Sequence, residues 1–222
     1  MNSTGYFQAA AYYLKLTDYV NPSEGVVANF APFVSSYLDP LQQSQLGTSY
    51  GVATQPENNG AGHLEGLQVA TNLPLGYVTH VLEDFGVLAS ANRNLSRVIY
   101  GTDTTPVTLD GLSKWVQQYT LYFQHGGLQA RVSDSARTSF LGRVYGISAS
   151  RVEDYVKGYS QIDAQMSYSF YSGALNGLTV TATGSNLGNH GFEAYQNNDF
   201  RQVIVWERFS RTYTVGFSYT FQ

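Results

Sequence analysis

The end of the chain alternates strictly between hydrophobic and polar residues. Tyr213, Val215, Phe217, Tyr219 and Phe221 fall on one face of an extended segment, whereas threonine, serine and glycine fall on the other. Successive side chains of a β-strand point to opposite sides of the sheet. The pattern therefore predicts a strand with one apolar and one polar face, as a transmembrane β-barrel requires where only its outer side meets lipid.

The same two-residue period recurs along the chain and predicts about eight strands. Their approximate extents are Tyr6 to Tyr19, Ser49 to Thr71, Phe85 to Ala91, Trp115 to Phe123, Leu128 to Val132, Ile162 to Phe170, Leu178 to Thr183 and Thr212 to Phe221. The second strand is expected to be bent where Pro56 and the Asn58-Asn59-Gly60 turn signal interrupt it. On the predicted outward face, Arg93, Gln117 and Asp134 are polar exceptions.

Short and long connections alternate between these strands. Tight turns are expected at His125-Gly126-Gly127 and at Gly173 to Gly177, and long loops are expected at Val20 to Gly47, Asn94 to Gly111, Leu141 to Lys157 and Asn186 to Ser210. Short turns on one side and long loops on the other are typical of outer-membrane barrels. Ten residues rising about 3.3 Å each and tilted near 45° span roughly 24 Å, close to the height of the apolar band. A soluble β-sandwich acting as a binding module is the alternative, because its strands alternate as well.

Composition favours the membrane barrel. Charged residues make up only 13% of the 222 residues, and the chain has 22 glycines, 18 tyrosines and 12 phenylalanines. No apolar run approaches the roughly 18 residues of a membrane helix. The net charge of -4 and the scattered basic residues argue against a nucleic-acid partner, and the absence of cysteine removes disulfides and thiolate metal sites. The fold class predicted is all-β, an antiparallel transmembrane β-barrel.

Several short segments follow one another in the last third of the chain. They are Gly177-Leu178-Thr179-Val180, Asn186-Leu187-Gly188-Asn189 with Phe192, Asp199-Phe200-Arg201-Gln202-Val203, and Arg211-Thr212-Tyr213 leading to Tyr219-Thr220-Phe221. In this order and spacing they resemble the end of TonB-dependent receptors, the plugged transport barrels of the Gram-negative outer membrane. The family motif falls on Asn186, Leu187, Asn189, Phe192 and Arg211. Weaker similarity at Thr54 to Asn58, Gly111 to Trp115 and Tyr155 to Gly158 extends the resemblance over nearly the whole chain.

The resemblance implies a fold and a function. Members of this family have a signal peptide, a TonB-contacting box, a plug domain and a barrel of about 22 strands. The sequence shows neither a signal-peptide pattern nor a plug domain, so residues 1–222 are expected to form a single region, a C-terminal fragment of a 22-stranded barrel. The implied role is energy-coupled uptake of a scarce nutrient, such as a carbohydrate or a siderophore, with the chain alone not competent for transport.

The implied surroundings follow from the same resemblance. The chain would lie in the cell outer membrane of a Gram-negative bacterium, in contact with lipid and with the barrel-insertion machinery. It would meet TonB only through a plug that is absent here, and a small-molecule substrate only in the full-length protein. The alternative function is a self-contained eight-stranded outer-membrane barrel, either a porin or an enzyme.

Candidate chemistry is sparse. His63, His80, His125 and His190 lack metal-ligand spacing, and no catalytic motif occurs, so no catalytic, metal or cofactor site is predicted and the chain is not expected to be an enzyme. Tyr195, Arg201 and Trp206 in the last long loop are candidate substrate contacts, because aromatic rings stack on sugars and arginine binds anions. Packing within the loop and salt bridges with its own carboxylates explain the same residues.

Overall fold

A computed structural model of the chain describes residues 4–101, 104–145 and 152–221. Within them lie twelve strands, two short α-helices and three single-turn 3-10 helices, and the fold is all-β with 64% strand and 10% helix. The strands are β1 (Tyr6–Asn29), β2 (Tyr50–Pro74), β3 (Phe85–Tyr100), β4 (Trp115–His125), β5 (Leu128–Arg137), β6 (Phe140–Tyr145), β7 (Val152–Val156), β8 (Tyr159–Ser169), β9 (Leu178–Ser185), β10 (Gly191–Gln196), β11 (Val203–Arg208) and β12 (Thr212–Tyr219). The α-helices are α1 (Ala31–Tyr37) and α2 (Pro40–Gln45). Neither of these helices has the length or the apolar content needed to cross a membrane.

The large sheet has eight antiparallel strands in the order β1-β2-β3-β4-β5-β8-β9-β12. These are the eight strands expected from the two-residue period, and sequence neighbours in that series are also neighbours in space. Among the described residues, β1 pairs only with β2 and β12 pairs only with β9. The sheet therefore has two open edges, and no closed barrel is formed by the part of the chain that the structure describes.

Connections of different length lie at the two ends of this sheet. At one end, residues 75–84, 126–127 and 170–177 make the short links, and Gly126 adopts a φ of 54° in the tightest of them. At the other end, residues 30–49, 101–114, 138–158 and 186–211 make the long links. The predicted alternation of short and long connections is confirmed. Successive connections lie at opposite ends of the sheet because consecutive strands run in opposite directions.

The prediction that the long connections are loops throughout is wrong. The expected loop from Val20 to Gly47 contains the part of β1 from Val20 to Asn29 and both α-helices, and β3 continues through the start of the expected loop at Asn94. The connections after β5 and β9 contribute a second sheet of four strands, in the order β11-β10-β7-β6. The centre of the expected loop from Leu141 to Lys157, residues 146–151, lies outside the described residues.

The hairpin of β1 and β2 projects beyond the rest of the large sheet. β3 ends opposite Gly60, so residues 50–59 of β2 pair only with β1, over about 30 Å at 3.3 Å per residue. The bend expected in β2 at Pro56 and Asn58-Asn59-Gly60 is confirmed, because the register shifts between Leu16 and Glu24 of β1 lie opposite this stretch. At its far end the Asp39 side chain accepts from the Gln42 amide and caps α2.

Little of the chain is buried. The hydrophobic core consists of Val98, Tyr100 and Leu109, against which Leu16, Tyr19 and Leu64 pack. This cluster lies on the polar side of the large sheet near the long connections, because Val98 and Tyr100 alternate with the outward residues Arg97 and Ile99. The other side of the sheet is covered by no element of the described structure.

Candidate functional site

One side of the large sheet carries most of its hydrophobic residues, and we call it the apolar face. Residues directly opposite one another in neighbouring strands share a face, so the register assigns each residue to one side. One row of directly opposite residues crosses five neighbouring strands on this face. It consists of Leu121, Val132, Ala164, Gly184 and Tyr213. Exposed members include Phe7, Leu67, Leu73, Leu121, Val132, Met166, Val215 and Phe217.

Aromatic residues mark both ends of the apolar face. Phe85 and Phe123 pair near the short connections, with ring centroids 4.9 Å apart, and Trp115 begins the same strand near the long connections. Eight residues separate Phe123 from Trp115, which at 3.3 Å per residue and a tilt near 40° correspond to about 20 Å of height. That height approaches the roughly 25 Å apolar band of an outer-membrane barrel, which is flanked by aromatic girdles.

The three polar exceptions do lie on the apolar face. Arg93 is opposite both Leu67 and Trp115, and its guanidinium lies 5.6 Å from the centre of the Trp115 ring. Asp134 accepts a hydrogen bond from the Ser160 hydroxyl at 2.6 Å, and Gln117 is opposite Ala136. All three belong to the half of the face nearer the long connections, so they are partnered or close to its border rather than isolated in its centre.

The predicted closing strand is an edge of the sheet. Tyr213, Val215, Phe217 and Tyr219 lie on the apolar face of β12, and Phe221 follows its end. Tyr213 is 70% and Phe217 73% exposed, because β12 has a neighbour on one side only. Their placement fits the pattern from which they were predicted, while their part in membrane insertion stays a prediction.

The opposite side of the large sheet is polar and holds an open groove of about 630 Å³. Residues of five neighbouring strands line it, among them Gln118, Arg131, Ser133, Asp163, Gln165 and Thr183. Thr120 and Ser133 are joined across two strands by a 2.8 Å hydrogen bond between their hydroxyl groups. The alternation in the sequence placed Asp163, Gln165 and Thr183 on the polar face, but it predicted no groove there.

Most of the residues that were assigned to a motif by sequence resemblance lie in a hydrogen-bonded corner after β9. Asn186 has a φ of 54°, and its side-chain amide donates to the carbonyl oxygens of His190 (3.0 Å) and Phe209 (2.6 Å). Its side-chain oxygen accepts from the His190 amide at 2.8 Å, and its own backbone amide donates to the Asp163 carboxylate at 2.8 Å. The corner therefore fixes where the chain leaves the large sheet and where it returns.

The other motif residues support the same corner. Arg211 donates from Nε to the Leu187 carbonyl at 2.8 Å, which joins the start of β12 to the end of β9. Asn189 has a φ of 55°, and its backbone amide donates to the Asn186 carbonyl. Phe192 lies one element further on, in β10 opposite Glu207. The geometry around Asn186, Leu187 and Arg211 is structural, since each named contact joins two parts of the chain.

The candidate substrate contacts occupy three different environments in the second sheet. Tyr195 is only 6% exposed, stacked on Tyr155 at 6.1 Å between ring centroids and in edge contact with Phe200. Arg201 is held by Asp199 through a 2.7 Å ion pair. Trp206 is 59% exposed, with the Arg208 guanidinium 5.5 Å from its ring centre. Loop packing accounts for Tyr195 and a salt bridge for Arg201, which leaves Trp206 as the accessible ring.

Three pKa shifts accompany this sheet. Burial, together with the hydrogen bond to Glu153, raises the pKa of Tyr155 from 10.0 to about 12. The hydrogen bonds that Arg201 donates lower the pKa of Asp199, and those same bonds raise the pKa of the Arg201 guanidinium. These shifts stabilise the neutral form of Tyr155 and the charged forms of Asp199 and Arg201, which are their ordinary states at neutral pH. They are therefore explained by packing and ion pairing within the loop.

No cluster of three or more histidine and carboxylate side chains suited to a metal ion occurs in the described ranges. His125 pairs with Asp84 at 2.8 Å beside the short connections, and the His190 ring stacks on Tyr159.

Comparison of the chain with models of protein families, with curated proteins and with solved structures found no match.

Proposed function

We propose that the chain is the C-terminal part of the β-barrel of an outer-membrane TonB-dependent receptor, which takes up a scarce nutrient. The observation that supports this proposal is the continuous apolar face of an eight-stranded sheet, bordered by aromatic residues and backed by a polar groove. Lipid is the environment that stabilises an apolar outer face, and an aqueous or plugged lumen is the one that suits a polar inner face.

The exposed area of the chain supports the same proposal. The molecule exposes 15058 Å², whereas a folded soluble monomer of 24.4 kDa exposes about 10,000 Å². Contiguous apolar patches larger than a few hundred Å² are rare on soluble monomers. An excess of this size requires a covering, and in our proposal lipid covers the apolar face while further strands of the same barrel cover the edges.

The open edges distinguish the proposal from a self-contained eight-stranded barrel. Such a barrel would require β1 to pair with β12, whereas each has a single neighbour in the described structure. Small closed barrels also fill their interiors with side chains. The β12 residues on the groove side are Thr212, Thr214, Gly216 and Ser218, which are too small to fill one.

The two tryptophans allow a direct test, because the proposal places them in different environments. Trp115 lies at the border of the apolar face, and Trp206 lies in the second sheet among the long connections. The chain would be refolded with vesicles of dibrominated phosphatidylcholine as two single-tryptophan variants, Trp206→Phe and Trp115→Phe. We expect brominated lipid to quench Trp115 strongly and to leave Trp206 nearly unquenched.

Equal quenching of the two tryptophans would contradict the proposal, and so would a monodisperse folded protein in the absence of detergent or lipid. The latter outcome would favour the soluble β-sandwich. Heat-modifiable migration as a monomer in detergent, together with channel conductance or enzymatic activity, would favour the self-contained barrel. We also expect that the chain fails to restore nutrient uptake in a receptor-deficient strain, because a sheet with two open edges encloses no pore.

A further inference from the structure

A row of three basic side chains crosses the apolar face at its border with the long connections. Lys15 of β1 is directly opposite His63 of β2, and His63 is directly opposite Arg97 of β3. The row therefore spans two strand spacings, about 10 Å. Lys15 and Arg97 are exposed, and the imidazole of His63 stacks on the Tyr13 ring at 5.7 Å. We call these three residues the basic row.

Two carboxylates lie near the basic row. Glu65 lies two residues from His63 on the same face, opposite Tyr13 and Leu95, and Asp18 lies in the bulge that follows Lys15. Neither carboxylate forms an ion pair with Lys15 or Arg97 among the described residues. The Lys15 ammonium and the Arg97 guanidinium therefore keep hydrogen-bond donors from which an external anion can accept.

The position of the basic row matches the polar layer of a membrane. Lys15 lies two residues beyond Tyr13, and Arg97 lies four residues beyond Arg93, the partner of Trp115. These offsets are about 7 and 13 Å along the strands. The headgroup layer lies within several ångströms of the hydrocarbon border, since bilayers are about 30 Å thick without headgroups and 40 to 45 Å with them.

We propose that the basic row binds the phosphate of an anionic membrane lipid in the leaflet on the side of the long connections. The lysine and guanidinium groups would donate charge-assisted hydrogen bonds to phosphate oxygens, with the imidazole between them as a further donor. The acyl chains of the same lipid would cover the apolar face, towards Trp115. This inference rests on the membrane orientation in the proposed function and adds a preferred lipid class to it.

The experiment measures lipid preference next to Trp115. In the Trp206→Phe background, quenching by brominated phosphatidylglycerol is compared with quenching by brominated phosphatidylcholine, and the relative association constant is obtained. Basic residues near an anionic surface contribute about fivefold each, so we expect a preference approaching about 30-fold for the anionic lipid at low salt. In the double variant Lys15→Gln/Arg97→Gln we expect a preference near one.

A matched control removes two positive charges elsewhere. Arg131→Gln/Arg208→Gln changes one residue in the polar groove and one in the second sheet, and it should keep the preference. If Trp115 is quenched by phosphatidylcholine in every variant but the chain shows no anionic preference, the basic row does not bind lipid phosphate although the membrane orientation stands. If both double variants lose the preference equally, net charge explains it and the site is refuted. If no lipid quenches Trp115, the proposed function itself fails.

Discussion

Placing a charge in the middle of the apolar face tests whether lipid covers it. Ala182 of β9 is opposite Met166 and Val215, both exposed on that face, so a longer side chain there meets no buried packing. Ala182→Arg therefore changes polarity with little steric cost. Thr181→Arg is the matched control, because this neighbour in the chain faces the groove side, opposite Ser167 and Gly216.

The expected magnitude follows from the depth of the residue. Val215, the partner of Ala182, lies two residues from Tyr213 and four from Tyr219, which is about 7 and 13 Å along the strand. Ala182 is thus near the centre of the band, where an arginine costs about 2 to 4 kcal/mol. Such a cost lowers the ratio of folded to unfolded chain by about 30-fold to 700-fold. Thr181→Arg should remain within about 1 kcal/mol of the unsubstituted chain.

The assay is urea unfolding of the chain in phosphatidylcholine vesicles, followed by the emission of Trp115 with Trp206 replaced by phenylalanine. The midpoint for Ala182→Arg should fall well below that of the unsubstituted chain, while Thr181→Arg should change little. Equal midpoints for the two arginine variants would refute the argument, because they would mean that the two faces of the sheet are solvated alike.

Three further experiments test local features of the structure. Asn186→Ala should lower the free energy of unfolding by about 2 to 4 kcal/mol. The substitution removes three side-chain hydrogen bonds and a residue type that tolerates a positive φ. Asn197→Ala, in an exposed turn, should lower it much less. Gly62→Ala should disrupt the β2–β3 pairing, because the added Cβ would lie 2.0 Å from a backbone oxygen of β3. Gly216→Ala should be tolerated, since its Cβ would have no atom within 4 Å. Urea unfolding measures the stability of both variants. Tyr155 should ionise near pH 12 in an absorbance titration. Because its pKa in the folded state lies above the ordinary 10.0, its contribution to stability holds below pH 10 and is lost as the pH rises towards 12. A titration midpoint at the ordinary value would contradict the burial of this hydroxyl group.

The eight strands of the large sheet were predictable because one face of each is mostly apolar. Leu178 to Thr183 and Thr212 to Phe221 alternate without interruption, so their period and boundaries are visible in the sequence. The second part of β1 was not, because register shifts between Leu16 and Glu24 break the two-residue period. Helices α1 and α2, of seven and six residues, are too short to show a helical period.

The environment of the candidate contacts depended on partners that are distant in sequence. Tyr195 is buried because Tyr155, on a strand from a different connection, stacks on it. The local sequence does not indicate such a pairing. An exposed ring that a ligand could reach therefore could not be distinguished from a ring that packs inside the protein. The Asp199–Arg201 pair is separated by a single residue, and for that reason the salt-bridged alternative was already visible in the sequence.

The pairing of β7 with β10 has a consequence for the order of folding. Each strand of the large sheet pairs with its predecessor in the series, so hairpins can form successively with little loop-closure entropy. The second sheet joins segments that the chain inserts between β5 and β8 and between β9 and β12, as Tyr155 meets Tyr195. Those segments meet only after β8 and β9 have aligned. We therefore expect protection of β7 and β10 amides from hydrogen exchange to develop later during refolding than that of β4 and β5.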